Sequence, residues 1–173
     1  AKHAVDLGND AAAGRRRTRS KWKQRKEKAG VRLKGIYRLR RRAAMALHCG
    51  KLWSTGALPQ QIFGHQIYGV PPTELLQLRR QASRAVAGRA AGRCLTTTLA
   101  ATHGKQDPGL AIPVQLLQEW LTFWKTTPSL RSRIVRSWPI VYRRLTAPGK
   151  RALWARVRGV LSAVIATLLE AGW

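Results

Sequence analysis

The sequence predicts an all-α protein in which a long basic N-terminal helix is followed by a tryptophan-containing helical bundle. Apolar residues recur at spacings of three, four or seven along most of the chain, as in helices that bury one face. No segment shows the alternation of apolar and polar residues that is typical of a half-buried strand. Apolar residues make up 45% of the 173 residues, which is sufficient for a real core.

The first predicted region, 1–50, contains a short lead with turn-forming residues, 1–14, and one long helix from Arg15 to about Gly50. The predicted inward positions of this helix are Trp22, Ala29, Leu33, Ile36, Ala43 or Ala44, and Leu47. Glycine in a helix costs about 1 kcal/mol relative to alanine. A break is therefore allowed near Gly30 or Gly35.

The second predicted region, 51–109, is punctuated by glycine and proline. We expect residues 60–68 to form one short helix with Ile62, Phe63 and Ile67 packed inward. Thr73 follows two prolines and is a plausible N-cap of a helix that ends at Gly88. The expected inward residues of that helix are Leu75, Leu78, Ala82 and Val86. We expect a linker over residues 89–109.

The third predicted region, 110–173, contains three helices. Pro113 suits the first turn of one of them, whose two apolar stripes predict packing on two sides. Ser129 caps the next helix, which runs through Leu145 and is kinked or divided by Pro139. The last helix spans Leu153 to Leu168. Four tryptophans are expected to provide core volume: Trp120, Trp124, Trp138 and Trp154.

Positive charge is concentrated between Arg15 and Arg42, where 15 of 28 residues are Lys or Arg and Glu27 is the only acid. The formal net charge of the chain is +26. A positive charge of this size and density predicts a polyanionic partner, and the commonest polyanion in this role is the phosphate backbone of a nucleic acid. We therefore expect the following residues to bind nucleic acid: Arg15, Arg16, Arg17, Arg19, Lys21, Trp22, Lys23, Arg25, Lys26, Lys28, Arg32, Lys34, Arg38, Arg40, Arg41, Arg42, Arg79, Arg80 and Arg84. Trp22 could stack on a base.

The sequence offers little for catalysis. It has no P-loop, no GxSxG and no HExxH motif. Its two cysteines and four histidines share no metal-ligand spacing, so we expect neither a catalytic residue, a metal nor a cofactor. The longest apolar run, Val160 to Leu169, is shorter than a membrane span requires.

No secretory signal is visible, and we expect an intracellular protein that is nuclear or associated with a ribonucleoprotein. A mitochondrial location is the alternative, because the Arg-rich start is similar to a transit peptide although Asp6 and Asp10 precede it. The chain begins with Ala1 and its only methionine is Met45. We therefore expect either a piece of a longer polypeptide or a processed product.

Residues 1–90 resemble the region that follows the polymerase palm in non-LTR (LINE-type) reverse transcriptases. The resemblance rests on Lys2, on the basic helix, and on Thr55, Gly56, Pro59, Gly64, Leu78, Arg79 and Arg80 in that order. Ala4 and Val5 stand where the family has Leu and Gly, and the polymerase aspartates have no counterpart here. The resemblance implies a non-catalytic, thumb-like part that contacts RNA or an RNA/DNA duplex through phosphates.

Two alternatives remain open. One is an RNA-binding subunit of a ribosome-like particle, possibly organellar, whose tryptophan-rich helices dock on protein neighbours. The other is a membrane-surface binder, in which Trp22, Leu33, Ile36 and Leu47 form the inserted face of a basic amphipathic helix.

Overall fold

A computed structural model of the chain describes residues 3–6, 9–12, 20–41, 46–86, 92–148 and 152–173. Within these ranges the chain is overwhelmingly helical, which confirms the all-α class. The α-helices are α1 (Ser20–Arg40), α2 (Ala46–Leu52), α3 (Leu58–Ile62), α4 (His65–Tyr68), α5 (Pro72–Val86), α6 (Leu95–Thr102), α7 (Pro108–Thr126), α8 (Arg131–Thr146) and α9 (Val160–Glu170). A π-helical turn, Trp53–Ala57, joins α2 to α3, and 3₁₀ turns lie at Gly104–Gln106, Pro128–Leu130 and Leu153–Arg156.

A small β-hairpin precedes the helices. Strand β1 (His3–Asp6) pairs antiparallel with β2 (Asn9–Ala12), so that His3 lies opposite Ala12 and Asp6 lies opposite Asn9. The sequence analysis expected only a lead with turn-forming residues here, and that expectation missed the strands. Strands of four residues are too short to show an alternating pattern, and Asp, Asn and Ala have low strand propensity.

The first basic helix is shorter than the sequence predicts within the described residues, because α1 ends at Arg40 and Arg41 lies in a turn. It continues unbroken through Gly30 and Gly35, where an added Cβ would meet no atom within 4 Å. The predicted start at Arg15 and the inward positions Ala43, Ala44 and Leu47 lie outside the residues or side chains that the structure describes.

Several predicted boundaries in the rest of the chain are wrong. Residues 60–68 form two helices, α3 and α4, separated by Phe63 and Gly64. The expected linker 89–109 contains α6, in which Thr98 and Thr102 hydroxyls donate to carbonyls four residues earlier. Threonine hydroxyls also bond to the backbone in turns, and a Thr-rich segment is therefore not expected to form a helix. In α6 the hydroxyls bond to helix carbonyls instead.

Proline positions account for further differences. Helix α7 begins at Pro108, so Pro113 lies inside it rather than in its first turn. Helix α8 begins at Arg131, after the 3₁₀ turn that contains Ser129, and runs continuously through Pro139 to Thr146. Helix α9 begins only at Val160, where the Ser162 hydroxyl accepts the backbone N–H of Gly159 at 3.0 Å.

The chain divides into two compact units. We call Ser20–Phe63 with Val70–Ile112 the basic unit, and Gly64–Gly69 with Pro113–Trp173 the tryptophan unit, to which the N-terminal segment also belongs. The sequence analysis placed boundaries at 50 and 109. In the structure, α1 packs against α2, α3 and α5, so the residues on both sides of position 50 share one core.

The core of the basic unit is built on the fully buried Trp53. The residues buried around it are Leu33, Ile36, Cys49, Ala57, Leu78, Ala82, Ala85, Leu99 and Ile112. Leu33 and Ile36 of α1 were predicted to face inward, as were Leu78 and Ala82 of α5, and all four belong to this core. Trp53 has the edge of its ring against His103, with centroids 5.8 Å apart.

The core of the tryptophan unit is centred on α9, which buries six consecutive residues from Ser162 to Thr167. A helix that is buried on all sides must be apolar all round, and α9 carries no charge before Glu170. Leu116, Leu145 and Val157 complete this core. Trp120, Trp138 and Trp154 pack against it as half-buried side chains, which agrees in part with the core role expected for them.

Gly69 occupies a backbone position that the tryptophan unit can fill only with glycine. Its φ is 62° and its ψ is 179°, a region open essentially to glycine alone. A Cβ at this position would lie 2.7 Å from Cζ3 of Trp154. The indole is fixed in turn, because its Nε1 donates to Glu170 at 3.1 Å.

We therefore expect Gly69→Ala to lower the free energy of unfolding by about 2–4 kcal/mol, through backbone strain and the clash with Trp154. Gly30→Ala is the matched control, because it adds the same methyl group in open space within α1 and should stabilise the protein by about 0.5–1 kcal/mol. Thermal unfolding followed by circular dichroism measures both. Equal effects of the two variants would contradict this role of Gly69.

Candidate nucleic-acid interface

The buried stripe of α1 determines which of its basic residues point outward. Ala29, Leu33 and Ile36 are buried, and α1 contacts α2, the π-helical turn, α3 and α5. This packing contradicts the membrane-surface alternative, which required Leu33 and Ile36 on an exposed, inserted face. It also fixes the rotation of α1 about its axis, so the cations of the helix divide into two sets.

The first set consists of cations that are held against the protein itself; we call them the docked cations. The Arg25 guanidinium lies 4.0 Å from the centroid of the Phe63 ring, a cation–π arrangement. Lys26 donates from Nζ to Gln77 Oε1 on α5 at 2.7 Å and lies 4.8 Å from the Trp22 ring centroid. These contacts anchor the N-terminal half of α1.

Two more docked cations lie further along α1. Arg32 donates from Nη1 to the Gly56 carbonyl in the π-helical turn at 3.3 Å. Arg40 donates from Nη1 to the carbonyl of Arg84, in the last turn of α5. The last four carbonyls of a helix have no partner within it, and a cation at that end also complements the helix dipole. Arg40 therefore caps α5.

The second set is exposed, and we call it the outward cations. Its members are Lys23, Lys28, Lys34 and Arg38 on α1, and Arg41 in the turn that directly follows the helix. At about 100° per residue, Lys23, Lys34, Arg38 and Arg41 fall within about 60° of one another around the helix axis. They extend over about 27 Å at 1.5 Å per residue. The exposed side of α1 thus presents a basic row of that length. Glu27 is the only acid of the helix.

Helix α5 adds exposed charge to the same unit through Arg80 and Arg84. Burial raises the pKa of the Tyr37 phenol above its usual 10, although Arg84 and Arg40 lie close enough to oppose the shift. Tyr37 thus stays neutral and adds no negative charge beside these arginines.

Arg79 differs from its neighbours on α5 because it binds an acid of its own chain. Its Nε and Nη2 both donate to the Asp107 carboxylate, with Nη2 at 2.9 Å from Oδ2, and Nη2 also donates to Thr96. Asp107 Oδ1 accepts the backbone N–H of Gly109 at 2.8 Å and thereby caps α7. The arginine fork is occupied within the fold, so Arg79 ties α5 to the start of α7.

The structure therefore brings together only part of the residue set predicted to bind nucleic acid. Lys21 and Trp22 are half-buried in the first turn of α1. Arg15, Arg16, Arg17, Arg19 and Arg42 lie outside the described residues. Sequence reasoning placed Phe63 inward, which is wrong, because Phe63 is 52% exposed and contacts Arg25. It missed Gln77 and Asp107. An Asp directly before Pro108 is a signature of a helix start, and that signal could have identified Asp107 as a cap.

Other polar groups do not assemble into a second chemical centre among the described residues. Within those ranges no group of three or more His, Cys, Asp or Glu side chains could hold a metal ion. A hydrogen bond with the Thr97 side chain is the main cause that lowers the pKa of the exposed Cys94 thiol. Burial lowers the pKa of His103 more than Asp107 raises it. None of the helices that the structure describes is long and apolar enough to cross a membrane.

No protein-family model, curated protein sequence or solved structure matches this chain. The candidate interface is therefore defined by its own geometry: a helix fixed by apolar packing and docked cations, with a row of outward cations on its exposed side.

The contact between Arg79 and Asp107 leads to a stability prediction. Asp107→Asn removes the charge that accepts three hydrogen bonds from Arg79. We expect the free energy of unfolding to fall by about 1–3 kcal/mol, the range for charge-assisted bonds of partly buried groups. Glu119→Gln is the control, because Glu119 is exposed on α7 and its neutralisation should change stability by less than about 0.5 kcal/mol. Chemical denaturation measures both, and matching midpoints would contradict the role given to Asp107.

Proposed function

We propose that this protein binds nucleic acid, RNA or an RNA/DNA duplex, through the outward cations of α1 together with Arg80 and Arg84 of α5. The observation that carries the proposal is the division of the basic residues of α1. Cations at its packed face are used by carbonyls, an amide and aromatic rings of the protein, whereas those on its exposed side form a row about 27 Å long.

The excess of charge favours a polyanion over a neutral partner. The chain has 33 Lys and Arg against seven Asp and Glu, so its own acids cannot neutralise the outward cations. Phosphates do so while releasing the counterions condensed on the nucleic acid, which drives binding. A duplex carries about one phosphate charge per 1.7 Å of its axis, counting both strands. A row of about 27 Å is therefore long enough to contact several phosphates at once.

The same geometry favours low sequence specificity. Phosphate contacts position a protein on a duplex, whereas sequence is read at base edges in the grooves. Amide side chains can read base edges, and Gln24 is the only amide side chain on α1. The preference for RNA or an RNA/DNA duplex follows from the resemblance to the thumb-like region of non-LTR reverse transcriptases. With that resemblance we propose a nuclear or ribonucleoprotein-associated location, with a mitochondrial one as the alternative.

Charge reversal of three outward cations tests the proposal. The variant Lys23→Glu, Lys34→Glu, Arg38→Glu removes three expected phosphate contacts. The dependence of log affinity on log salt should become shallower by about 2–3. Three contacts contribute about 2.4 units of log affinity between 1 M and 0.1 M salt, so binding at 0.1 M should weaken by at least about 100-fold. Filter binding to duplex RNA, RNA/DNA hybrid and single-stranded RNA provides the measurement.

The control carries the same change in net charge at other exposed positions. The variant Arg93→Glu, Arg133→Glu, Arg144→Glu alters three exposed arginines outside α1 and α5. It should retain most of the affinity and the salt slope of the natural sequence. If both triple variants lose affinity equally, binding depends on overall charge and the interface on α1 is wrong. A salt-independent affinity of the natural sequence would exclude phosphate recognition altogether.

A second candidate function is an RNA-binding structural subunit of a ribosome-like particle. The observation that favours it is the number of large apolar side chains exposed on α7 and α8, among them Leu121, Val135 and Ile140. Patches of this kind mark protein–protein interfaces. A particle subunit should cosediment with large RNA and other proteins. A polymerase part should instead be encoded directly downstream of a palm with paired aspartates, so the upstream gene sequence separates the two candidates.

A further inference from the structure

The tryptophan unit contains an apolar groove between α7 and α8. The groove encloses about 420 Å³, a volume within the range of sites that hold several apolar groups. Its main lining residues are Trp120, Trp124, Trp138, Leu121, Val135 and Pro139. Every side chain that lines it is apolar or aromatic, so it can accommodate hydrocarbon and offers little to a polar ligand.

The groove arises because part of one apolar stripe of α7 stays exposed among the described residues. The sequence predicted that α7 packs on two sides. In the structure Leu116 is buried, but Leu121 is 54% exposed on the other stripe. The facing side of α8 is similar, with Val135 60% exposed. Neighbouring exposed apolar side chains that form a concave surface are a feature of binding sites.

One basic side chain, Arg131, lies at the rim of the groove, and two more follow lining residues in the sequence. Lys125 comes directly after Trp124 on α7, Arg136 comes directly after Val135 on α8, and both are exposed. The Arg131 guanidinium lies 5.5 Å from the Trp124 ring centroid and is held there by a bond from its Nε to the Trp124 carbonyl at 2.9 Å. Residues 108–146 contain six Lys or Arg and one acid, Glu119. A partner that covers this groove must therefore bring negative charge to its rim.

We propose that the groove binds an acidic amphipathic helix of a partner protein. Apolar side chains of that helix, spaced three and four residues apart, fill the groove in the manner of helix-in-groove recognition. Glu or Asp residues beside them pair with Lys125, Arg131 and Arg136. The proposal is independent of nucleic-acid binding, because the outward cations lie in the basic unit and take no part in it.

The lining argues against the two other occupants. A nucleobase can stack on a Trp ring, but the lining offers no carbonyl, amide or hydroxyl side chain to its polar edges. Each edge group that is buried without a partner costs about 1–3 kcal/mol. A second copy of this chain would bring another net charge of +26 to a basic rim, and like charges at an interface oppose association. An acidic helix satisfies both the apolar groove and its charged rim.

The test uses fluorescein-labelled peptides of about 18 residues, titrated with the full chain and followed by anisotropy. The first has Leu at four positions of one helical face and Glu beside them. The second has the same composition with the Leu residues scrambled, and the third has Lys in place of Glu. We expect the first to bind at least about tenfold more tightly than either of the others. Equal binding of the scrambled peptide would mean that overall charge, and not the groove, captures acidic chains.

Two exposed valines provide matched variants. Val135→Asp places a charge in the groove and should weaken binding of the first peptide at least about tenfold. Val31→Asp makes the same change on α1, where Val31 is 71% exposed, and should leave binding unchanged. Circular dichroism confirms that both variants remain helical. Unchanged peptide affinity in Val135→Asp would overturn the proposal. Loss of RNA affinity in Val135→Asp without loss of peptide affinity would also overturn it, since the groove would then serve nucleic acid.

Discussion

The shortage of acids is the constraint on which the rest of this structure depends. With 33 basic and seven acidic residues, the fold cannot hold its cations mainly in ion pairs. It uses neutral acceptors instead: the Phe63 and Trp124 rings, the Gln77 amide, and carbonyls at helix ends. Arg156 follows the same rule, because its Nη1 donates to the Leu145 carbonyl at 3.0 Å and so caps α8. Such contacts fix a cation in place but leave its charge uncompensated.

The uncompensated charge links stability to binding. Like charges three or four residues apart disfavour a helix, and α1 retains its place through Ala29, Leu33 and Ile36 and through the docked cations. A polyanion that neutralises the outward cations removes this repulsion in the folded state, and any ligand that binds the folded state selectively stabilises it. Under the proposed function, a polyanion on the outward cations would therefore also stabilise the helix to which it binds.

The sequence was sufficient for the parts that local periodicity controls. Leu33, Ile36, Leu78 and Ala82 were predicted inward from their spacing, and all four are buried. The division between docked and outward cations could not be predicted, because it depends on contacts between residues far apart in the sequence. Lys26, for example, donates to Gln77, which lies 51 residues further along the chain. Two predictions that relied on proline were wrong, since Pro113 and Pro139 both lie inside continuous helices. Packing there outweighs the loss of one backbone hydrogen bond.

The tryptophans show how the same residue type serves different ends. Trp53 is fully buried and organises one core, whereas Trp120 and Trp138 pack against the other core on one side and line the groove on the other. A stripe at helical spacing indicates that a face is apolar, but it does not indicate whether the chain itself covers that face. In α7 and α8 the described residues leave it exposed beside a basic rim. The two units therefore present different chemistry: α1 offers a row of outward cations, whereas α7 and α8 offer a groove lined by apolar and aromatic side chains with Arg131 beside it.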